Sequence, residues 1–157
     1  MDAPEIRLEI ADDEGPESET VARWLREHNV ASVPDLWARL DGPEGDPDPL
    51  FIAAKDAEGT LVGGLMAFTQ LAWLKIDRMA VAPSRRRQGV GAALVDRAER
   101  EGRARGCRHA YVDTMSHQAP GFYERLGYER VGLLEDWDSY GHDKSFFRKR
   151  LDQSPPR

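Results

Sequence analysis

Between Leu50 and Ala104 the hydrophobic pattern changes period once, and that change limits what the chain can fold into. LFIAAKD and TLVGGLMAFTQL are runs of strand-forming residues separated only by Ala57, Glu58 and Gly59, as in a hairpin. WLKIDRMAV, Trp73 to Val81, reads as a third consecutive strand, which Pro83 ends because proline has no N–H for the ladder. Beyond Gly89 the spacing turns helical: Val90, Leu94 and Ala98 share a stripe with Val95 beside it. Glu99 and Arg103 form an i,i+4 pair, and Gly106 is placed to close the helix in a left-handed conformation.

The flanks extend this pattern. EIRLEIA, from Glu5, reads as a strand because Ile6, Leu8 and Ile10 alternate with charged residues. SETVARWLREH places Val21, Trp24, Leu25 and His28 at helical spacing with Ser18 as N-cap, and a second helix is expected over Val33 to Leu40 with Pro34 in its first turn. DGPEGDPDP, Asp41 to Pro49, is a loop within one domain. After the central helix, CRHAYVDT reads as a strand, PGFYERLGY as a short helix ended by Gly127, and ERVGLLEDW and KSFFRKRL as two strands around DSYGHD. The order βααβββαβαββ predicts a mixed α/β or α+β sheet as a single domain over residues 1–152, with residues 153–157 fraying. Leu133, Leu134, Trp137, Phe146 and Phe147 are expected in its core.

Charge and cysteine usage exclude some functions. With 28 acidic against 22 basic side chains the formal charge is −6, which makes nucleic acid or an anionic membrane a poor partner. One cysteine, Cys107, cannot make an internal disulfide, and MDAPEIRLEI has neither a basic start nor a long apolar run, so a cytoplasmic protein is expected. Cys107 begins a strand beside no evident base and reads as a buried structural thiol. Four scattered histidines lack metal-ligand spacing, so no metal is expected.

The chemistry concentrates in RRRQGVG. Arg86, Gly89 and Gly91 form Arg-x-x-Gly-x-Gly, a pattern that occurs by chance in roughly one such chain in six, so its surroundings must decide its meaning. Those surroundings are a strand, a proline turn and the start of an amphipathic helix, whose free N–H groups and dipole favour an anion. Glycines let a diphosphate approach the backbone, and arginines add charge-assisted contacts. The alternative reading is a solvated arginine turn in which the glycines serve only the bend. A P-loop lacks support, because no Lys-Ser or Lys-Thr follows, and so does a dinucleotide fold, because Gly-x-Gly-x-x-Gly is missing.

IDRMAVAPSRRRQGVGAALV, then AYVDT, then APGFYERLGYERVG together resemble the GCN5-related N-acetyltransferase (GNAT) family, from about Ile76 to Gly132. The resemblance implies acetyl-CoA as cosubstrate. Met79, Ala80 and Val81 would hold its pantetheine arm, the backbone from Arg86 through Arg87, Gln88, Gly89, Val90 and Gly91 to Ala92 would receive the pyrophosphate, and the strands ending at Val81 and beginning near Cys107 would splay apart. Many members carry an asparagine seven residues before the motif tyrosine; here that position is Ser116, whose hydroxyl would take over the contact to the cofactor arm.

The implied activity is transfer of the acetyl group to a primary amine of a small molecule, peptide or protein. Tyr123 matches the family tyrosine that faces the thioester sulfur as general acid; as a residue on a short helix it also reads as aromatic packing. Asp77 lies where many members place a glutamate base, or is an exposed strand residue paired with Arg78 or Lys75. His117 and His142 compete for the base role, since histidine titrates near neutrality. Glu135, Asp136 and Asp138 fall on the segment that borders the acceptor pocket in the family and would suit a cationic amine. A homodimer is compatible with the family. Outside this reading stand another acyl donor, an oxygen acceptor, or an acyl-CoA sensor without turnover.

Overall fold

The computed structural model describes residues 6–152, and the chain divides into two compact units between Pro43 and Glu44. In the first, α1 (Pro16–Ser32) and α2 (Pro34–Leu40) meet at Val33, which caps the end of one and the start of the other. Pro34 enforces the break, since it lacks the N–H that would continue α1 and fits the first turn of α2. Arg26 crosses the pair, bonding the Asp41 carboxylate at 2.9 Å and lying 5.0 Å from the Trp37 ring centre.

Two expectations for this region are corrected. Residues 6–11 form no strand, and Ile6, Leu8 and Ile10 are exposed; alternation decides which side chains share a face but supplies no ladder partner. Glu5, where that strand was to begin, lies outside the described residues, as does the tail 153–157. Ser18 is not the N-cap. Pro16 starts α1 three residues earlier than that cap would, with Gly15 at the cap, and the Ser18 hydroxyl donates back to the Gly15 carbonyl at 2.8 Å.

The second unit is built on six strands: β1 (Asp48–Lys55), β2 (Leu61–Gln70), β3 (Trp73–Val81), β4 (His109–Met115), β5 (Glu129–Leu134) and β6 (Lys144–Arg150). They lie in the order β1-β2-β3-β4-β6-β5, giving a mixed sheet. The first three form the antiparallel meander expected from the sequence. β1 starts inside the stretch expected to be loop, with Asp48 opposite Thr69 and Pro49 opposite Phe68. An edge strand tolerates that proline because one side of its backbone needs no ladder bond.

A helical crossover, α3 (Val90–Ala104), makes β3 and β4 parallel. Its apolar stripe of Leu94, Val95 and Ala98 is buried on the sheet with Leu65, Leu74, Ile76, Val112 and Phe147. Gly106 closes α3 at φ 84°, as its position predicted. Glu99 does contact Arg103 at 3.5 Å, but it is a buried carboxylate whose shorter bonds, both 2.8 Å, come from Lys149 on β6. A last helix, α4 (Pro120–Arg125), stands between β4 and β5.

The C-terminal apolar residues divide by strand position. Phe147 is fully buried on β6, which has neighbours on both sides, whereas Leu133, Leu134 and Trp137 are 41%, 48% and 51% exposed on or just after the edge strand β5. The expectation that all of them are core fails because edge position cannot be seen in a local pattern. Among the described residues, no helix is long and apolar enough to cross a membrane.

Candidate active site

The site begins where the sheet comes apart. β3 pairs with β4 at four successive positions, from Trp73 opposite His109 to Ile76 opposite Val112, and there the pairing stops. On its other side β3 stays bound to β2 as far as Val81, but the register slips: Arg78 faces Met66 and Ile76 faces Ala67, leaving Asp77 as the extra residue of a bulge. The β3 edge beyond Ile76 therefore lacks a strand neighbour, and a cleft of about 680 Å³ opens along it.

The start of α3 forms one wall. The chain leaves β3 through a single 3-10 turn at Pro83–Arg85 and reaches Val90 by way of two left-handed residues, Arg87 at φ 60° and Gly89 at φ 83°. Two left-handed residues so close together turn the chain sharply into α3, whose first N–H groups have no partner within the helix and lie at the positive end of its dipole, making an anion nest. The two motif glycines do different work. A Cβ at Gly89 would meet nothing within 4 Å, so glycine is there for its φ; a Cβ at Gly91 would come within 3.3 Å of the Phe122 ring, so glycine is there for space.

The arginines beside them differ as well. Arg85 pairs with Asp56 at 3.5 Å, and Arg86 Nε donates to the Val81 carbonyl at 3.2 Å, tying the loop to the end of β3.

α4 forms the facing wall through Phe122 and Tyr123. Pro120 fits the first turn of this short helix and Gly127, at φ 84°, turns the chain back into β5. The Tyr123 ring is buried, with Phe122, Tyr128 and Phe147 at centroid distances of 5.1, 5.6 and 6.1 Å. Burial raises the Tyr123 pKa above its ordinary value, so at neutral pH the hydroxyl is protonated and can donate.

Two carboxylates of unlike character line the cleft. Asp77 is half-exposed, 3.3 Å from Arg78 Nε. Asp113, one step past the last β3–β4 pair, is 3.1 Å from Lys144 and 3.4 Å from Lys75, and accepts the Tyr111 hydroxyl at 3.1 Å. Burial alone would raise the Asp113 pKa, but Lys144 and Lys75 outweigh it and hold the carboxyl below its usual range. Asp113 is thus a fixed negative charge and a poor proton acceptor. Tyr111 is pushed up to about 12, by burial first and then by Asp113.

Of the residues singled out in the sequence, the cleft brings together Asp77, Met79, Val81, Arg86, Arg87 and Gly89, and with them Val90, Gly91, Ala92 and Tyr123. Ala80, Gln88, Ser116, His117 and His142 are not among its lining residues. Gln88 donates to the Ser84 carbonyl at 3.0 Å, inside its own turn. Ser116 exchanges bonds with Asp143, its N–H donating to the Asp143 carbonyl at 2.8 Å and its hydroxyl accepting the Asp143 N–H at 3.2 Å.

His142 Nδ1 lies 2.6 Å from the Asp138 carboxylate, with the His117 ring 5.4 Å away. Asp136 and Asp138 accept backbone N–H groups of their own loop, from Gly141 at 2.6 Å and Tyr140 at 2.9 Å. Gln118 was missed in the sequence. It lines the cleft and its side-chain oxygen accepts from the Thr114 hydroxyl at 3.0 Å and the Met115 N–H at 2.9 Å, two residues beyond the serine that drew attention.

The buried Cys107 thiol is raised by burial, which suits a structural role.

Comparison with known proteins agrees with this geometry. Residues 12–128 match the profile of the Acetyltransferase (GNAT) family. An acetyltransferase of Agrobacterium fabrum is 36% identical over 108 residues, covering 69% of this chain and 78% of its own. The blasticidin-S acetyltransferase of Streptomyces morookaense is 37% identical over 117 residues, covering 72% of this chain and 86% of its own. A crystal structure of an acetyltransferase from Bacillus cereus superposes with a TM-score of 0.71 at 29% identity, over 91% of this chain and 97% of that one. The chain belongs to the GNAT family of acetyltransferases.

Proposed function

We propose that the protein transfers the acetyl group of acetyl-CoA to a primary amine of a small molecule. The observation that carries this reading is the cleft itself: a strand edge that has lost its β4 neighbour beyond Ile76, lined together with the anion-binding start of α3 and with Tyr123 of α4. An extended pantetheine arm fits such an edge because it carries amides that pair as a strand does, and a pyrophosphate fits the nest at Arg87–Gly91. The blasticidin-S acetyltransferase among the relatives supports a small-molecule acceptor.

In the transfer, the amine nitrogen bonds to the acetyl carbon, the C–S bond breaks, the amine loses a proton and the leaving thiolate gains one. A lysine-like amine is neutral in only about one molecule in a few thousand at pH 7, so a proton acceptor is required. Asp77 fills this role through a water, because its carboxylate is short but half-exposed and lies at the bulge where the cleft opens. Tyr123 supplies the proton to the thiolate, since its raised pKa keeps the hydroxyl protonated throughout the physiological range. Asp113 is too firmly ionised to replace Asp77 and serves as a fixed charge.

Two measurements test this. Coenzyme A should raise the melting temperature, and acetyl-CoA should release free thiol when an amine panel including blasticidin S and streptothricin is supplied. Binding without thiol release for every amine would refute turnover; no binding would refute the donor.

A further inference from the structure

Five arginines line the cleft, and their charges are not equally available. Arg78 is paired with Asp77 at 3.3 Å, Arg85 with Asp56 at 3.5 Å, and Arg86 donates to the Val81 carbonyl at 3.2 Å. Among the described residues, no carboxylate pairs with Arg87 or Arg125. These two come from facing walls, Arg87 from the loop before α3 and Arg125 from the last position of α4.

The Arg125 side chain has a defined course. A Cβ placed on Gly121 would lie 3.4 Å from Arg125 Nη1, so the guanidinium folds back along α4 toward its first turn. That turn abuts α3, since the neighbouring Phe122 ring is what a Cβ on Gly91 would strike at 3.3 Å. Arg125 therefore holds a fork of donors without a carboxylate partner on the α4 wall of the cleft, beside the turn that abuts α3.

The donor proposed above carries two anionic groups. Its pyrophosphate suits the nest, where backbone N–H groups converge and Arg87 stands within the same turn. Its ribose 3′-phosphate is a separate dianion several bonds away, beyond the reach of those N–H groups, and needs a long side-chain cation with two parallel donors.

We propose that Arg125 binds this 3′-phosphate and so makes the protein discriminate coenzyme A from its 3′-dephosphorylated form. The assignment rests on the reading of the cleft as the acetyl-CoA site, and it gives α4 a second task besides presenting Tyr123.

The test is titration calorimetry with coenzyme A and 3′-dephospho-coenzyme A on the wild type, Arg125→Gln, Arg87→Gln and Arg100→Gln. Arg100 lies on α3, paired with Asp96 at 2.9 Å and not among the cleft residues, and controls for net charge. The wild type should bind coenzyme A about tenfold more tightly than the dephospho form, the low end for a charge-assisted pair because Arg125 is exposed.

Arg125→Gln should bring that ratio close to one without weakening the dephospho form, whereas Arg87→Gln should weaken both ligands alike and Arg100→Gln neither. A ratio that survives Arg125→Gln, or a wild type indifferent to the 3′-phosphate, would overturn the assignment and leave the donor site standing. Failure of both ligands to bind the wild type would overturn the donor site and the assignment together. An exposed side chain at a helix end tolerates glutamine, so the variants should fold.

Discussion

Gly89 and Gly91 belong to one motif, yet glycine stands at each for a different reason, and the two substitutions should differ in effect. At Gly89 a Cβ would have open space, so Gly89→Ala costs only what a left-handed φ of 83° imposes on an L-residue, about 1 kcal/mol. For a chain of this size that lowers the melting temperature by roughly 2–4 °C. The chain can avoid the strain by leaving the left-handed region, but then the N–H groups at the start of α3 lose their aim, and each charge-assisted bond lost costs tenfold or more in affinity for coenzyme A. Gly89→Val adds branching and should be worse on both counts, while Gly89→Asn should recover much of the loss because asparagine tolerates this conformation.

Gly91→Ala meets the Phe122 ring at 3.3 Å, a contact that a side-chain shift of a few tenths of an ångström relieves, inside a helix where alanine gains up to about 1 kcal/mol over glycine. Its stability should be unchanged or slightly higher. Denaturant midpoints and calorimetric Kd values for coenzyme A would separate the four variants. The reasoning is refuted if Gly91→Ala unfolds more readily than Gly89→Ala, if asparagine at position 89 does no better than valine, or if Arg85→Ala, which removes a partly exposed pair with Asp56, harms binding more than Gly89→Val.

Tyr123→Phe should lower turnover by about 10² while leaving coenzyme A affinity near wild type; steady-state kinetics beside calorimetry would show it, and unchanged turnover removes the hydroxyl from the reaction. Asp77→Asn should flatten the acidic limb of the pH–rate profile, whereas His117→Ala and His142→Ala should preserve it; flattening by either histidine variant would transfer the base role to that residue. Tyr111, pushed up to about 12, together with the raised Tyr123 and Tyr128, favours the protonated form when folded. Their contribution to stability is complete below the unfolded tyrosine pKa of about 10 and is lost as pH rises through that value toward the folded ones. Denaturant midpoints should fall above pH 10, less steeply in Tyr111→Phe, and a midpoint flat to pH 11.5 would contradict this.

The legible parts of the chain were those in which local pattern and its terminators agree. Trp73–Val81 reads as a strand because alternation stops at a proline turn, and it is one. Val90–Ala104 reads as a helix because its stripe ends at Gly106, and it is one. The cleft collects most of the phosphate loop for the same reason, since those residues lie between a strand end and a helix start that the pattern marks, whereas Asp77 lies mid-strand and Tyr123 mid-helix and were picked out by the family resemblance. What stayed hidden depends on a distant partner. No local signal distinguishes the edge strand β5 from the interior β6, so Leu133 and Phe147 looked alike. Glu99 looked like half of a surface pair because Lys149, which buries it, lies 50 residues on. The course of Arg125 follows from its fold over Gly121, which spacing cannot reveal.

The most consequential hidden feature is the bulge. β3 leaves β4 after Ile76, and at the next residue its register against β2 slips by one, so both departures fall on a single peptide unit. A bulge bends its strand and increases the local twist. The extra residue at Asp77 therefore accounts for the divergence of β3 from β4 and, in the same stroke, for the exposure of the Asp77 carboxylate in the cleft. An ordinary strand would have had to choose between pairing with β4 and presenting that side chain to a ligand. Placing one unpaired residue at the point of separation removes the conflict. Residues before it carry sheet stability, with Leu74 and Ile76 buried on the core face, and residues after it, Met79 and Val81, line the cleft. Asp77 thus marks the boundary between the part of β3 that holds the fold together and the part left available for binding.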